Sequence, residues 1–531
     1  MRGFLASSIG VTCATALALP LAAPVSATAG TAAVAPAADV LPGSTQSLPL
    51  IPLGSDRAGG PAREEGLARR DVRPFSLVGV VWDDPDADLR GRVQVRTRAT
   101  GTSTWSAWQD VETHNHDHAA DPGSAERATG RVRGATAPLW VGTSDGVEVR
   151  VRADARAHGT GARAATRAPD ALPLPKGLRL ELVDPGDEPP AHDTDRLGAL
   201  TAEAAASSAV NADLAPLGAT AIPALGKEQT EKALLAARGI EGIGTAGSHE
   251  ATAALEGTYS AEHAPPAHGA QATQNTQGTQ STQGTQNTQG TQSTQDALGP
   301  YASAQHAEHT QSTQSTQHAQ GVAAAPQARP HIGPRPRIIT RRGWGADERL
   351  RERNFAYTKT VKAAFVHHSA TGNNYRCSQA PSVLRSIYRY HVKSSGWRDF
   401  GYNFAVDKCG NIYEGRAGGV TKPVLGAHTL GFNTNSMGIA VLGTFGGAKP
   451  PKAAVTAVAK LTAWKLGLFG ANPRGTTYLK SGGGNLYRKG TNVRLRVISG
   501  HRDGFATECP GRLLYKKLGK VRSSSARYQG R

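Results

Sequence analysis

Aromatic side chains are scarce, at 5 % of the 531 residues, while Ala, Gly, Pro, Ser and Thr crowd the chain. Much of it therefore lacks the bulk for packed core, which excludes one large body and favours compact modules joined by polar linker. Length alone suggests about three domains. Long apolar runs are missing as well. Phe4 to Ala18 is apolar and small behind Arg2, and Val25-Ser26-Ala27 and Ala27-Thr28-Ala29 offer small-residue cleavage sites. This reads as a secretory signal over 1–29. A membrane anchor is the weaker alternative, because the run falls short of the ~20 residues a span requires. No later segment is apolar enough, so a secreted, extracellular protein without a transmembrane anchor is expected.

Cysteine is nearly absent. Of the four, Cys13 leaves with the signal, so Cys377, Cys409 and Cys509 remain, an odd number for an oxidising compartment. Two accounts are open. A Cys377–Cys409 disulfide leaves Cys509 as a thiolate metal ligand; a bridge from Cys509 to one of the others leaves a stray thiol.

Acidic residues are the third scarcity, and it is local. Residues 335–531 carry 35 Lys and Arg against 8 Asp and Glu, a net +27, whereas residues 1–334 are net −9. A basic secreted domain is drawn to polyanions. Nucleic acid is excluded as the expected partner, because no recognisable module interleaves aromatic and basic residues. The phosphates and carboxylates of cell-wall polymers fit a secreted chain better.

Along the chain, residues 30–70 have no sustained period and read as a disordered lead-in. Residues 71–187 alternate in short stretches, as in Arg92-Val93-Gln94-Val95-Arg96 and Val147-Glu148-Val149-Arg150-Val151, with turn clusters between them. That pattern predicts an all-β, sandwich-like domain of unassigned role. Its Trp82, Trp105, Trp108 and Trp140 are expected in the core rather than on a glycan-stacking platform. His114, His116 and His118 fall in an acidic loop; a metal clip is the weaker alternative, and they are expected to be solvated, because no strand or helix of their own holds them in place. Residues 188–334 are linker, in which 227–235 is open to a short helix, with a near-perfect Thr-Gln repeat at 273–295 that recurs at 310–317 and has no apolar face to bury.

Residues 335–531 read as a mixed α/β domain, a central β-sheet flanked by helices. Helices are expected over 383–391, after Pro381-Ser382, and over 452–468. Tyr402–Asp407 and Asn411–Glu414 form a hairpin, 437–443 a central strand, and 471–496 an inserted loop or hairpin. The strand 361–366 ends in His367-His368-Ser369, and 495–499 ends just before His501; Cys509 follows on a turn. Two strand-ending histidines and a cysteine supply three donors for one zinc ion, with the fourth position left for water. Adjacent strand residues face opposite sides, so His368 points away from His367 and serves packing; His391 is structural or groove-lining.

Several motifs then carry a resemblance: Phe365-Val366-His367-His368-Ser369, Gly396-Trp397-Arg398-Asp399-Phe400-Gly401-Tyr402-Asn403, Tyr413-Glu414-Gly415-Arg416, Gly426-Ala427-His428, Asn433-Thr434-Asn435-Ser436-Met437-Gly438 and Gly500-His501-Arg502 with Thr507-Glu508-Cys509-Pro510-Gly511. In this order they resemble the peptidoglycan recognition proteins, a family overlapping the zinc-dependent N-acetylmuramoyl-L-alanine amidases of phage-lysozyme type. The resemblance covers roughly 335–520. It implies Zn2+ held by His367, His501 and Cys509, a catalytic Tyr402, and Thr507 at the place of a catalytic lysine in the phage enzymes. It implies cleavage of the amide between the muramic acid lactyl group and L-Ala of the stem peptide. His428, Arg416 and Asn433 are assigned to substrate; for Arg416 a surface salt bridge is the equal alternative. Glu508 as a base is set against a side chain pointing away. Members lacking the cysteine bind peptidoglycan without cutting it, so a non-catalytic, monomeric wall-binding protein is the alternative.

Overall fold

The computed structural model describes residues 43–53, 64–113, 116–154, 172–187, 200–239 and 330–531. The signal segment and the Thr-Gln tract lie outside these residues. Among the described residues, eight strands build the N-terminal domain: β1 (Ser44–Pro49), β2 (Ile51–Pro52), β3 (Glu64–Trp82), β4 (Gly91–Ala99), β5 (Gln109–Val111), β6 (Gly134–Ala135), β7 (Leu139–Ala153) and β8 (Arg179–Asp184). All pair antiparallel in one hydrogen-bonded set ordered β1-β8-β3-β7-β4-β5, with β2 and β6 added on β3. Register shifts interrupt the β3–β7 ladder between Leu67 and Leu77. Such bulges bend a strand, which lets one long strand serve several neighbours.

Strand β1 falls in the stretch expected as a disordered lead-in. Its residues show little alternation of their own; they are ordered by a six-residue ladder to β8. Alternation in β4 and β7 buries Val93, Val95, Val147, Val149 and Val151 around Trp82. Trp82 and Trp140 are core, as expected, but Trp105 and Trp108 are not. They are half-buried on the sheet's outer side, where Arg96 lies over both rings at 5.9 and 4.8 Å and Arg150 over Trp108 at 4.1 Å. Arginine planes take these ring faces in place of core side chains.

Part of the expected linker is structured too. Helices Ala202–Ala209 and Lys227–Ala237 bracket β9 (Ala221–Ile222), which pairs with β10 (Ile338–Ile339) and so extends the C-terminal sheet. That sheet continues with β11 (Ala363–His368), β12 (Phe404–Val406), β13 (Ile412–Glu414) and β14 (Ser436–Val441). A hairpin of β15 (Thr476–Lys480) and β16 (Asn492–Arg496) stands apart, and β17 (Ile498–Gly500) closes the main sheet, ordered β17-β11-β14-β12-β13-β10-β9. The stretch expected as one strand over 495–499 is therefore divided at Val497. Its two halves serve different sheets.

One face of this sheet, with Ala364, Val366, Ile439 and Val441, packs on the helices Lys452–Leu468 and Leu518–Gln529. The other face, with Ala405, Ala440 and Leu442, packs on helix Ala380–Arg389. That helix is itself covered by Leu77, Val81, Trp140 and Val183 of the N-terminal domain, so the two domains share one apolar core. The disulfide joins Cys377 to Cys409, at a Cα–Cα distance of 6.2 Å, and Cys509 is free and buried. The first of the two cysteine accounts is the one observed.

Candidate functional site

Strand β11 is parallel to both β14 and β17, with His367 opposite Ala440 and Val366 opposite Gly500. His501 follows β17 directly. Both histidines thus stand at the carboxyl ends of adjacent parallel strands, where the crevice of an open α/β sheet lies. Alternation along β11 puts His367 on the face of Ala440 and His368 on the other. Cys509 is brought to them by a turn in which its N–H donates to Thr507 Oγ1 at 3.2 Å.

Four donors meet here, not three. His118, His367, His501 and Cys509 are all buried, and one ligand atom from each lies within 4.8 Å of the others. Cys509 Sγ is 3.5 Å from His118 Nε2 and 3.7 Å from His367 Nδ1. Ordinary zinc–nitrogen and zinc–sulfur lengths give a tetrahedral N···S edge of about 3.6 Å. His501 Nδ1 is buried without a hydrogen-bond partner, as a nitrogen aimed at a metal would be. The residues present fit zinc.

His118 was expected to be solvated, and this expectation is overturned: it is 4 % exposed. The order its loop lacks is supplied by the other domain. Its Nδ1 lies 2.8 Å from Asp117 Oδ1, and its ring centroid is 4.4 Å from that of His501. The side chains of His114 and His116 lie outside the described residues.

Around the donors the tautomers are set by neighbours. His367 Nε2 is 3.4 Å from Thr429 Oγ1, which leaves Nδ1 for the sulfur side. His501 Nε2 lies 3.1 Å from the Asp117 carbonyl. Burial pushes the His367 imidazole well below its usual pKa and that of His501 to about 3, so both are neutral, the ligating form. Burial pushes the Cys509 thiol up.

Tyr402 is buried beside His367, with ring centroids 5.3 Å apart, and burial holds its phenol protonated far above neutrality. Thr507 is half-buried, and its hydroxyl accepts from Cys509 N–H. Glu508 points outward, 78 % exposed and 3.5 Å from Arg502. His428 is fully buried under Gly438, its Nδ1 3.0 Å from Thr429 Oγ1. Asn433 Oδ1 accepts from the N–H groups of His428 and Thr429 at 2.7 and 3.1 Å. Arg416 is neither exposed nor on the surface: it forms a two-pronged pair with Glu126 of the N-terminal domain at 2.8 and 2.9 Å. His391 is buried, stacked on Trp397, and accepts from Gly401 N–H at 3.2 Å. His368 lies 3.3 Å from Glu112.

The residues that sequence reasoning did not reach are Asp117, Asp121, Glu126 and Thr429. His118 was singled out by its dense histidine triplet among carboxylates, but with solvation preferred over metal binding.

Residues 357–512 match the N-acetylmuramoyl-L-alanine amidase family, and residues 31–172 match the family described as Rv3811 N-terminal galactose-binding domain-like. Peptidoglycan-recognition protein SC2 of Drosophila melanogaster is 30 % identical over 183 residues, which is 34 % of this chain and 84 % of that protein. N-acetylmuramoyl-L-alanine amidase of Homo sapiens is 31 % identical over 188 residues, 34 % of this chain and 28 % of that one. The solved structure of wild-type Drosophila PGRP-LB is 26 % identical, with coverage of 34 % and 92 % and a TM-score of 0.28. Through the domain that carries His367, His501 and Cys509, the chain belongs to the peptidoglycan-recognition protein family.

Proposed function

We propose that the chain is a secreted, wall-associated, zinc-dependent N-acetylmuramoyl-L-alanine amidase that hydrolyses the amide between the muramic acid lactyl group and L-Ala. The observation that carries this reading is the convergence of His367, His501 and Cys509 beside Tyr402, a donor set that fits zinc next to a protonated phenol. When bound, zinc supplies Lewis-acid activation of water and of the scissile carbonyl. The Tyr402 hydroxyl donates to the carbonyl oxygen as it gains charge, which is worth most where water is excluded. Thr429 holds His367 in the tautomer that turns Nδ1 to the site. Thr507 anchors the turn of Cys509 by accepting its N–H. The assignment of Thr507 and Tyr402 to catalysis, and of Arg416, Asn433 and His428 to the substrate groove, belongs to this proposal, as does attraction of the basic domain to anionic wall polymers.

The test is release of stem peptide from defined muropeptides, followed by mass spectrometry with and without chelator. Chelator-sensitive appearance of a free L-Ala amino terminus supports the reading. Undiminished hydrolysis by Cys509→Ala would sink it. A second reading, a wall-binding protein that does not cut, is favoured by one observation: His118 adds a fourth protein donor to the cluster, and a closed donor set would leave no position for water.

A further inference from the structure

The segment between β5 and β6, residues 112–133, has no regular structure among its described residues beyond the 3-10 turns His116–His118 and Arg127–Thr129. A loop of this length in a compact domain usually has a function beyond connection. From Glu112 to Glu126 it carries four carboxylates and no Lys or Arg, opposite a domain of strong positive charge.

Its contacts follow the site from one end to the other. His118 completes the donor cluster. The Asp117 carbonyl accepts from Leu430 N–H at 2.9 Å. Ala119 seats between Leu430 and Phe505. The Ala119 carbonyl and Asp121 Oδ1 both take Asn433 Nδ2, at 2.9 and 2.7 Å, and Asp121 also accepts from Gly431 N–H at 2.8 Å. Glu126 neutralises Arg416 and accepts from Arg398 N–H at 3.1 Å. Arg416 and Asn433, two residues assigned above to substrate, thus spend donors on a segment of their own chain. Four protein donors on one zinc ion make the closed arrangement of a structural site, whereas a catalytic site keeps one position open.

We propose that residues 116–132 are an intramolecular plug that fills the substrate groove, with His118 as a displaceable fourth metal ligand, so that the full chain is a latent enzyme. This rests on the amidase reading. Opening is withdrawal of the segment, not separation of the domains. Separation would expose the shared core of Leu77, Val81, Trp140 and Val183 against Tyr388 and Tyr390. Withdrawal exposes mainly polar contacts, which water replaces, and the small Ala119–Leu430–Phe505 cluster. The C-terminal flank stays anchored by Arg133 N–H on the Ser395 carbonyl and by Tyr390 Oη on the Thr136 carbonyl, both at 3.1 Å.

The test uses the full chain as wild type, His118→Ala and Glu126→Gln. Cobalt(II) is loaded and its visible spectrum followed as azide is added; separately, binding of a soluble muropeptide to the metal-free proteins is measured by calorimetry. The wild-type spectrum is expected to ignore azide and that of His118→Ala to shift, because the variant has a position to fill. Both variants are expected to bind muropeptide at least tenfold more tightly than wild type. Affinities within twofold of wild type, with azide perturbing wild type and His118→Ala alike, overturn the plug. Glu126→Gln, which keeps side-chain volume, carries the affinity test by itself should His118→Ala fail to fold. If the variants gain affinity but none releases stem peptide, the amidase reading fails while the plug stands.

Discussion

At the scale of the residue, the site is governed by groups that touch the donors rather than by the donors alone. Thr429 Oγ1 lies between His367 Nε2 and His428 Nδ1. Thr429→Val keeps the shape and removes both contacts, so zinc affinity is expected to fall about 10- to 100-fold, measurable by competition with a chromophoric chelator. Tyr402→Phe removes one donor to a developing oxyanion. In the plug-released background of Glu126→Gln, kcat should drop about 10²- to 10³-fold with little change in KM; an unchanged kcat would remove Tyr402 from the chemistry. His391 gives a pH signature outside the cluster. Its buried ring accepts from Gly401 N–H at Nδ1, and burial holds its pKa well below the usual 6.5. The folded state therefore binds fewer protons than the unfolded chain. The stability this contributes is present above pH ~6.5 and is lost as pH falls below it. Denaturant titrations at several pH values should show a shallower loss in His391→Gln than in wild type.

At the scale of the element, burial decides which polar groups matter. Arg341, on the turn after β10, is fully enclosed and bridges Glu348 at 2.7 Å and Asp399 at 3.1 Å. Those two carboxylates in turn hold Arg351 Nε at 2.6 Å and the N–H of Ala417 at 2.9 Å. Arg341→Ala would take the arginine partner from buried Asp399 and leave Glu348 with Arg351 alone, a loss of about 3–5 kcal/mol in chemical unfolding; a loss below about 1 kcal/mol would mean the cluster is hydrated. Elements with their own period were legible beforehand. Helix Lys452–Leu468 was expected over the same residues, and β12 and β13 were expected as a hairpin. Strand β1 was not legible, since polar Ser44–Ser47 become a strand only when β8 lies beside them. Neither was the break at Val497, which depends on two sheets competing for one continuous β-prone run.

At the scale of the whole molecule, charge and domain arrangement act together. The C-terminal domain carries a net +27, and the proposed target, an anionic wall, is of opposite charge. Sedimentation with purified wall should therefore weaken as salt rises from about 0.05 to 0.5 M, over which screening shortens several-fold. A plugged groove and a basic exterior make separable claims. Salt should change wall retention in wild type and Glu126→Gln alike, whereas muropeptide affinity should differ between them at any salt. Among the described residues no helix is long and apolar enough to cross a membrane.

The sequence by itself determined the C-terminal α/β architecture and offered His367, His501 and Cys509 as one set of donors, while the choice between the two disulfide accounts fell to the structure. The architecture and the donors are written locally, in a strand that ends on histidine, in an odd cysteine, or in motifs kept in order. Only the tertiary structure decided that His118 joins the trio and that Glu126 covers Arg416. Those partners lie 391 and 290 residues apart along the chain. A loop with no period of its own does not reveal what will order it, because the groups that do so belong to another domain.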